Sequence, residues 1–303
     1  MDLHLSDDQC AIVDALDNLC RPYIEAPMHD APLAATSAAL DRQLAEAGFL
    51  DVAADPDLGT VSAAVVVERL ARLPFATEAA ASAFFRPALG AFEGPLCLVD
   101  GLRTPRMVRF LAVGATVLVV EQEGVSVFTA TAEHLRSEPE ALYGYPVATL
   151  LDMPADRQSC SLSPAEARAR WQAGIAAEAA GLLAAALASC VSHVSEREQF
   201  GRKLATFQAL RHRLAEAQVR TNSTYWLAMK AAATLDPADT AMAASHAQEA
   251  ARICAYDFHQ FLGAMGMTLE HPLHMWTYRL KALIGELGGR QANATAAATA
   301  LWG

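Results

Sequence analysis

Apolar residues recur at helical spacing toward both ends of the chain and at strand spacing only in its middle. Ser6, Asp7, Asp8 and Gln9 have the form of a capping box, in which the serine accepts from a backbone N–H and the glutamine reaches back. Ile12, Leu16 and Leu19 follow at intervals of three and four. The pattern predicts further helices over residues 40–47, closed by Gly48, over 61–73, ending before Pro74, and over 77–89.

The period then changes. Residues 96–99 and 109–113 are short apolar runs, while 116–120 and 125–128 are rich in β-branched residues. Glu121, Gln122, Glu123 and Gly124 between the last two read as a hairpin turn. From Ser163 the chain turns helical again, with an N-cap serine, Pro164 at the first helical position and Glu166 at the third. Long helices are expected over 164–196, 206–234 and 238–262, with Asp236 and Pro237 breaking the last two apart. Alanine-rich helices that approach closely make a bundle. The expected fold is therefore mainly α, in three parts: an α-helical domain over 1–94, a small β domain over 95–162 and a helical bundle over 163–303.

Composition narrows the function. The formal charge of −11 argues against a sequence-independent nucleic-acid surface, which needs clustered Lys and Arg. No stretch reaches the roughly 18 uninterrupted apolar residues of a membrane span. Residues 1–5 carry acid where a signal peptide carries base, so a cytoplasmic location is expected. The six cysteines have no metal-type spacing and read as buried thiols of a reducing compartment.

Three C-terminal stretches carry candidate chemistry. Arg197, Gln199, Phe200 and Gly201 are followed by Phe207 and Gln208, then by Leu214 and Ala215. A cation and an aromatic ring at one helix end, then a glycine break and a new helix start, suit a diphosphate joined to an adenine. Gln260, Gly263, Ala264 and Gly266 form a helix end opening into a Gly-x-x-Gly loop that permits close backbone approach. Glu270, His271 and Pro272 follow, with His274 beyond. Each feature alone also reads as ordinary helix capping. His271 and His274 lack an acidic or cysteine partner, so packing or solvation is expected of them rather than metal binding.

In this order and spacing the three stretches resemble the C-terminal domain of the acyl-CoA dehydrogenase family. The resemblance spans residues 163–289 in motif and the whole chain in layout: an all-α domain, a middle β domain and a four-helix bundle. It implies FAD as cofactor. Arg197, Gln199, Phe200 and Gln208 match positions that contact it, and Gln260, Gly263 and Ala264 match the loop at its adenosine diphosphate end, reaching across a dimer interface. Ala264 stands where glycine is usual.

Two departures shape the expected activity. The family's middle domain is longer than residues 95–162 and carries flavin-ring loops not found here. The reaction also needs a shielded carboxylate to remove the α-proton. The usual glutamate position falls on Leu287, with Glu286 one residue off, about 100° away on a helix. The alternative base position falls on Trp171. Glu178, in an Ala/Leu-rich helix, is the remaining catalytic candidate, with a solvent-facing or Arg-paired role as the plainer reading. Glu270 reads as structural.

The expected protein is thus one subunit of an α2β2 acyl-CoA dehydrogenase. It would complete the FAD site of a second, longer subunit that acts on a bulky, steroid-like acyl-CoA and passes electrons to an acceptor. The alternatives are a self-sufficient homomeric dehydrogenase using Glu178, or a structural or regulatory protein of dehydrogenase fold that binds no flavin. No Ser or Cys sits in a nucleophile elbow, so acyl transfer ranks last.

Overall fold

The computed structural model describes residues 4–24, 31–90, 92, 94–101 and 107–303. The first three residues of the stretch compared with a signal peptide lie outside them. The Gln9 N–H donates to the Ser6 hydroxyl at 3.2 Å and the Ser6 N–H to the Gln9 side chain at 3.0 Å, completing the capping box of α1 (Asp7–Ile24). Helices α2 (Ala38–Glu46), α3 (Gly59–Ala71) and α4 (Ala80–Leu89) follow. Gly48, past the end of α2, takes the positive φ of a C-terminal cap.

Seven short strands come next: β1 (Leu96–Asp100), β2 (Met107–Arg109), β3 (Thr116–Val120), β4 (Val125–Thr129), β5 (Leu135–Ser137), β6 (Val147–Leu150) and β7 (Gln158–Ser159). One sheet has the order β1-β3-β4-β7, with β1 parallel to β3 and β3–β4 an antiparallel hairpin registered Val120 to Val125. The other has the antiparallel order β2-β6-β5. The strand expected over 109–113 stops at Arg109, because Phe110 adopts φ +59° and turns the chain while its N–H donates to the Pro146 carbonyl.

The remainder is helical: α5 (Pro164–Glu196), the hairpin β8 (Glu198–Gln199) and β9 (Arg202–Lys203), then α6 (Gln208–Thr234), α7 (Pro237–Leu262), α8 (Leu273–Leu283) and α9 (Gly289–Trp302). Ser163 and Glu166 cap α5 reciprocally, and the Asp236 carboxylate accepts from the N–H groups of Ala238 and Asp239 to start α7. The Cys190 thiol of α5 reaches the Phe258 carbonyl of α7, and Arg213 at the start of α6 pairs with Asp257 near the end of α7. So α5 and α7 run the same way with α6 antiparallel to both.

Helix α5 is the axis of the molecule. It is flanked by α6 and α7 on one side and by α3 and α4 on the other. Two of its glycines make the second contact possible. A methyl group on Gly174 would lie 2.9 Å from the Ala80 carbonyl oxygen, and one on Gly181 would overlap the Glu68 carbonyl and the Ala71 side chain. Among the described residues α5 is the one helix long and apolar enough to cross a membrane, yet 72% of its most apolar window is buried inside the protein.

Helix α8 is tied to the N-terminal layer by Arg279, whose guanidinium donates to the carbonyls of Leu73, Phe75 and Met275 at 2.5–2.9 Å. The Trp276 indole donates to the Arg72 carbonyl at 3.0 Å. The cysteines depart from expectation in two places. Cys20, Cys97, Cys190 and Cys254 are buried, but Cys10 is exposed, because α1 turns that position to solvent, and Cys160 is only half-buried. Asn293 is 2% exposed and serves the core.

The α3–α5 contact yields a test. Gly181→Ala should cost about 2 kcal/mol by overpacking, read as a lower thermal midpoint than wild type; an unchanged midpoint would refute the close approach.

Candidate functional site

The N-terminal helices, the strands and helices α5 and α8 enclose a cavity of about 580 Å3. Leu96, Leu98, Val108, Phe110, Trp171 and Leu287 give it apolar walls. Charged side chains line it as well: Glu78, Asp100, Arg109, Glu178, Lys281 and Glu286.

Glu178 is 5% exposed and does not face solvent. Its carboxylate accepts from Arg109 Nη1 at 2.9 and 3.2 Å and from the Tyr145 hydroxyl at 2.7 Å. Arg109 has a second acid, its Nε lying 2.6 Å from Glu286 Oε1, and the other Glu286 oxygen accepts from the Trp171 indole at 2.7 Å. The guanidinium carbon also lies 4.6 Å from the Tyr145 ring centre. One arginine thus bridges a buried and a half-buried carboxylate, with a phenol and an indole completing their hydrogen bonds. Burial works against the charge on Arg109, but Glu178 and then Glu286 outweigh it and hold the guanidinium above its ordinary range. Burial, and after it the Glu178 carboxylate, push the Tyr145 phenol up, so it stays a donor.

The expected helix through Glu286 is absent. Residues Glu286–Gly288 form a 3-10 turn in which Leu287 takes φ +51° and ψ +31°, the left-handed conformation, so the 100° argument does not apply. The turn sends Glu286 toward Trp171 and Arg109. A buried polar network holds it in place. Gln248 donates to the carbonyls of Leu283 and Glu286 at 3.0 and 2.9 Å, and its own oxygen accepts from Asn293 at 3.0 Å. Asn293 in turn accepts from Gln172, which accepts from Thr240 at 3.0 Å. Helices α5, α7 and α9 thereby position the turn from below.

Glu78 was not singled out from the sequence. Its carboxylate accepts from the Ser82 N–H, the Ser82 hydroxyl and the Leu96 N–H, joining the start of α4 to β1. Burial pushes its pKa up to about 7, against the lowering effect of those hydrogen bonds and of Arg109. The native state therefore holds a proton that the unfolded chain releases above about pH 4.5.

The other predicted residues lie elsewhere, at one end of the bundle. Arg197 caps α5 with its N–H on the His193 carbonyl, its side chain is exposed, and no hydrogen bond or ion pair of that side chain occurs among the described residues. Gln199 sits on β8, exposed, and donates to the Glu198 carbonyl. Phe200 is 87% exposed at φ +56°, its ring edge-on to Phe207, over which Arg202 stacks at 4.0 Å. Gln208 opens α6, exposed and beside His212. Gln260, Gly263 and Ala264 are exposed on the last turn of α7 and the 3-10 turn Gly263–Met267, with Gly263 at φ +58° and open space beyond it.

The two segments come together through His193, one turn before Arg197, whose ring lies edge-on to His271 at 5.6 Å. His271 and His274 make local backbone hydrogen bonds. No cluster able to hold a metal ion occurs among the described residues. An unpaired guanidinium, an open aromatic face and bare glycine backbone form a donor set suited to a dinucleotide diphosphate presented from outside. Glu178 belongs to the cavity and is not brought to this surface.

Helical domains flank a short β region, with a polar-lined cavity between them and an exposed surface of Arg197, Phe200 and the Gly263 turn at the bundle end. Residues 169–290 match the family model described as acyl-CoA dehydrogenase, C-terminal domain, and the chain as a whole shares its fold with solved acyl-CoA dehydrogenases. Acyl-CoA dehydrogenase FadE34 of Mycobacterium tuberculosis is 36% identical over 122 residues, covering 38% of this chain and 17% of FadE34. The chain thus spans only a small part of that relative. The ChsE4-ChsE5 complex from Mycobacterium tuberculosis superposes with a TM-score of 0.78 at 18% identity, covering 99% of each chain. The Tcur3481-Tcur3483 steroid ACAD superposes with a TM-score of 0.75 at 20% identity, covering 97% of this chain and 98% of that one. At those identities the likeness is one of fold.

Glu78 sets a pH dependence. Its stabilising proton is present below about pH 4.5 and lost as pH rises to about 7, so its contribution falls by about 3 kcal/mol across that window. Thermal midpoints measured from pH 5 to 8 should fall less steeply in Glu78→Gln than in wild type; parallel profiles would remove Glu78 as the source.

Proposed function

We propose that this chain is a subunit of an FAD-dependent acyl-CoA dehydrogenase and works with a second, longer dehydrogenase subunit in an α2β2 assembly. The observation that carries the reading is the state of the base positions. Leu287 and Trp171 occupy both, and the nearby carboxylates, Glu178 and Glu286, are each bound to Arg109. A proton abstractor needs a carboxylate whose basicity is raised by shielding, and a paired guanidinium works against that. The nucleotide-type surface, by contrast, points outward.

On this reading the partner supplies the flavin-ring pocket and the base. Arg197 pairs with the diphosphate of the partner's FAD, while Phe200 offers its open face and the N–H groups around Gly263 and Ala264 approach without side-chain hindrance. Gln199, Gln208 and Gln260 add neutral hydrogen-bonding groups. FAD, when bound, accepts the hydride from the β-carbon of the acyl thioester; an external acceptor then takes the electrons. The names of two structural neighbours, the ChsE4-ChsE5 complex and the Tcur3481-Tcur3483 steroid ACAD, support a paired assembly and a bulky, steroid-derived acyl-CoA.

The test is to purify the chain alone and co-expressed with a longer acyl-CoA dehydrogenase subunit of the same genome, then to read flavin absorbance and mass. The chain should be colourless alone, and yellow and tetrameric with its partner. Yellow protein from the chain alone would overturn the reading in favour of a self-sufficient enzyme using Glu178. Colourless protein in both states would point to a dehydrogenase fold without flavin. Arg197→Ala in the complex should weaken FAD binding roughly tenfold to a hundredfold, the loss of one charge-assisted contact; undiminished flavin content would remove Arg197 from the site.

A further inference from the structure

The loop Gly263–Met267 is folded back onto the helix that precedes it, and a hydrogen bond from His259 ties it there. His259, on the last full turn of α7, lies with Nδ1 2.5 Å from the Gly266 carbonyl oxygen and Nε2 2.9 Å from the Thr277 hydroxyl of α8. A carbonyl only accepts, so Nδ1 carries the proton. Neutral His259 then accepts at Nε2 from the Thr277 hydroxyl at 2.9 Å, a shorter contact than that hydroxyl's alternative acceptor, the Leu273 carbonyl at 3.2 Å. The partner at one nitrogen thus determines the donor at the other. Burial holds the His259 pKa below its ordinary value, with Lys281 and His274 acting the same way against the Gly266 hydrogen bond.

The fit between loop and helix is close at the same point. A methyl group on Gly266 would lie 2.6 Å from the His259 carbonyl oxygen and 3.2 Å from both the His259 Cα and the Leu262 Cβ. Gly266 is buried, and Met265 packs against the main core. Gln260, Gly263 and Ala264 face out, as does Met267 at the end of the loop. The inner side of the loop therefore fixes the pose of its outer side.

We propose that His259 is the positioning residue of the nucleotide-facing loop: its imidazole, oriented by Thr277, holds the Gly266 carbonyl so that the backbone at Gly263 and Ala264 is presented in one conformation to an anionic dinucleotide. The proposal rests on the functional reading above for the identity of that ligand, but not for the geometry of the loop.

The geometry separates two substitutions. Asparagine places an amide N–H near the position of Nδ1, whereas glutamine places it near that of Nε2. Hydrogen exchange at the amides of residues 263–268, measured on the chain alone, should be faster in His259→Gln than in wild type and close to wild type in His259→Asn. In the purified complex, the FAD dissociation constant should rise about tenfold in His259→Gln, the effect of one lost hydrogen bond, and stay within about twofold in His259→Asn, with thermal midpoints of all three proteins alike. Thr277→Val, which keeps the ring but removes the donor to Nε2, should fall between them and serves if His259→Gln fails to fold. Unchanged loop exchange in His259→Gln would overturn the proposal. So would equal loss of FAD in the asparagine and glutamine variants together with lowered midpoints, which a purely structural histidine would produce. Loop exchange that responds as expected in a complex whose wild type holds no FAD would leave the positioning role standing and remove the flavin reading instead.

Discussion

The close contact of α5 with α3 and α4 is the constraint on which the rest of the structure depends. A helix of 33 residues can serve five neighbouring helices only if its surface is small enough for their backbones to approach. Alanine supplies most of that surface, and Gly174 and Gly181 supply the points where a carbonyl of the neighbouring layer would otherwise be struck. Because α5 carries Trp171, Gln172 and Glu178 on one stretch and Arg197 at its end, its depth in the molecule sets both the cavity and the exposed surface at the bundle end. The two are separate outcomes of one packing decision.

Electrostatics then gives the two places different characters. In the cavity, charges of opposite sign are consumed by one another, with every named carboxylate oxygen accepting a hydrogen bond. At the bundle end the reverse holds. Among the described residues the Arg197 side chain makes no hydrogen bond or ion pair and Phe200 is uncovered, on a chain whose formal charge is −11. A local cation on an acidic protein is a directional feature, since an approaching anion is repelled elsewhere and drawn there.

Much of the fold was legible because its signals are local. Ser6 with Gln9, Ser163 with Glu166, and Asp236 before Pro237 announce helix starts that depend on a few neighbouring residues. The β3–β4 hairpin was legible for the same reason. Strands β5, β6 and β7 are too short to show a period, and β2 ends at a left-handed Phe110 that no pattern foretells. The motif residues of the bundle end could be named from spacing, but the cavity could not. Arg109 reaches Glu178 across 69 positions and Glu286 from the far end of the chain, and a single sequence carries no sign of such pairings. Gln172, Gln248 and Asn293 did leave a trace, as amides set into alanine-rich helices. Their meaning required knowing that three helices converge on one turn.

The arginine shared by Glu178 and Glu286 also bears on how this chain can change over time. Loss of either acid leaves a partly paired cation, and loss of the cation strands a buried and a half-buried acid, a far costlier state. Single substitutions at these three positions are therefore strongly coupled, and their effects will not add. Sequences descended from this one should keep the trio or replace it as a unit. A relative retaining only one of the three would mark a chain whose cavity has already been put to another use.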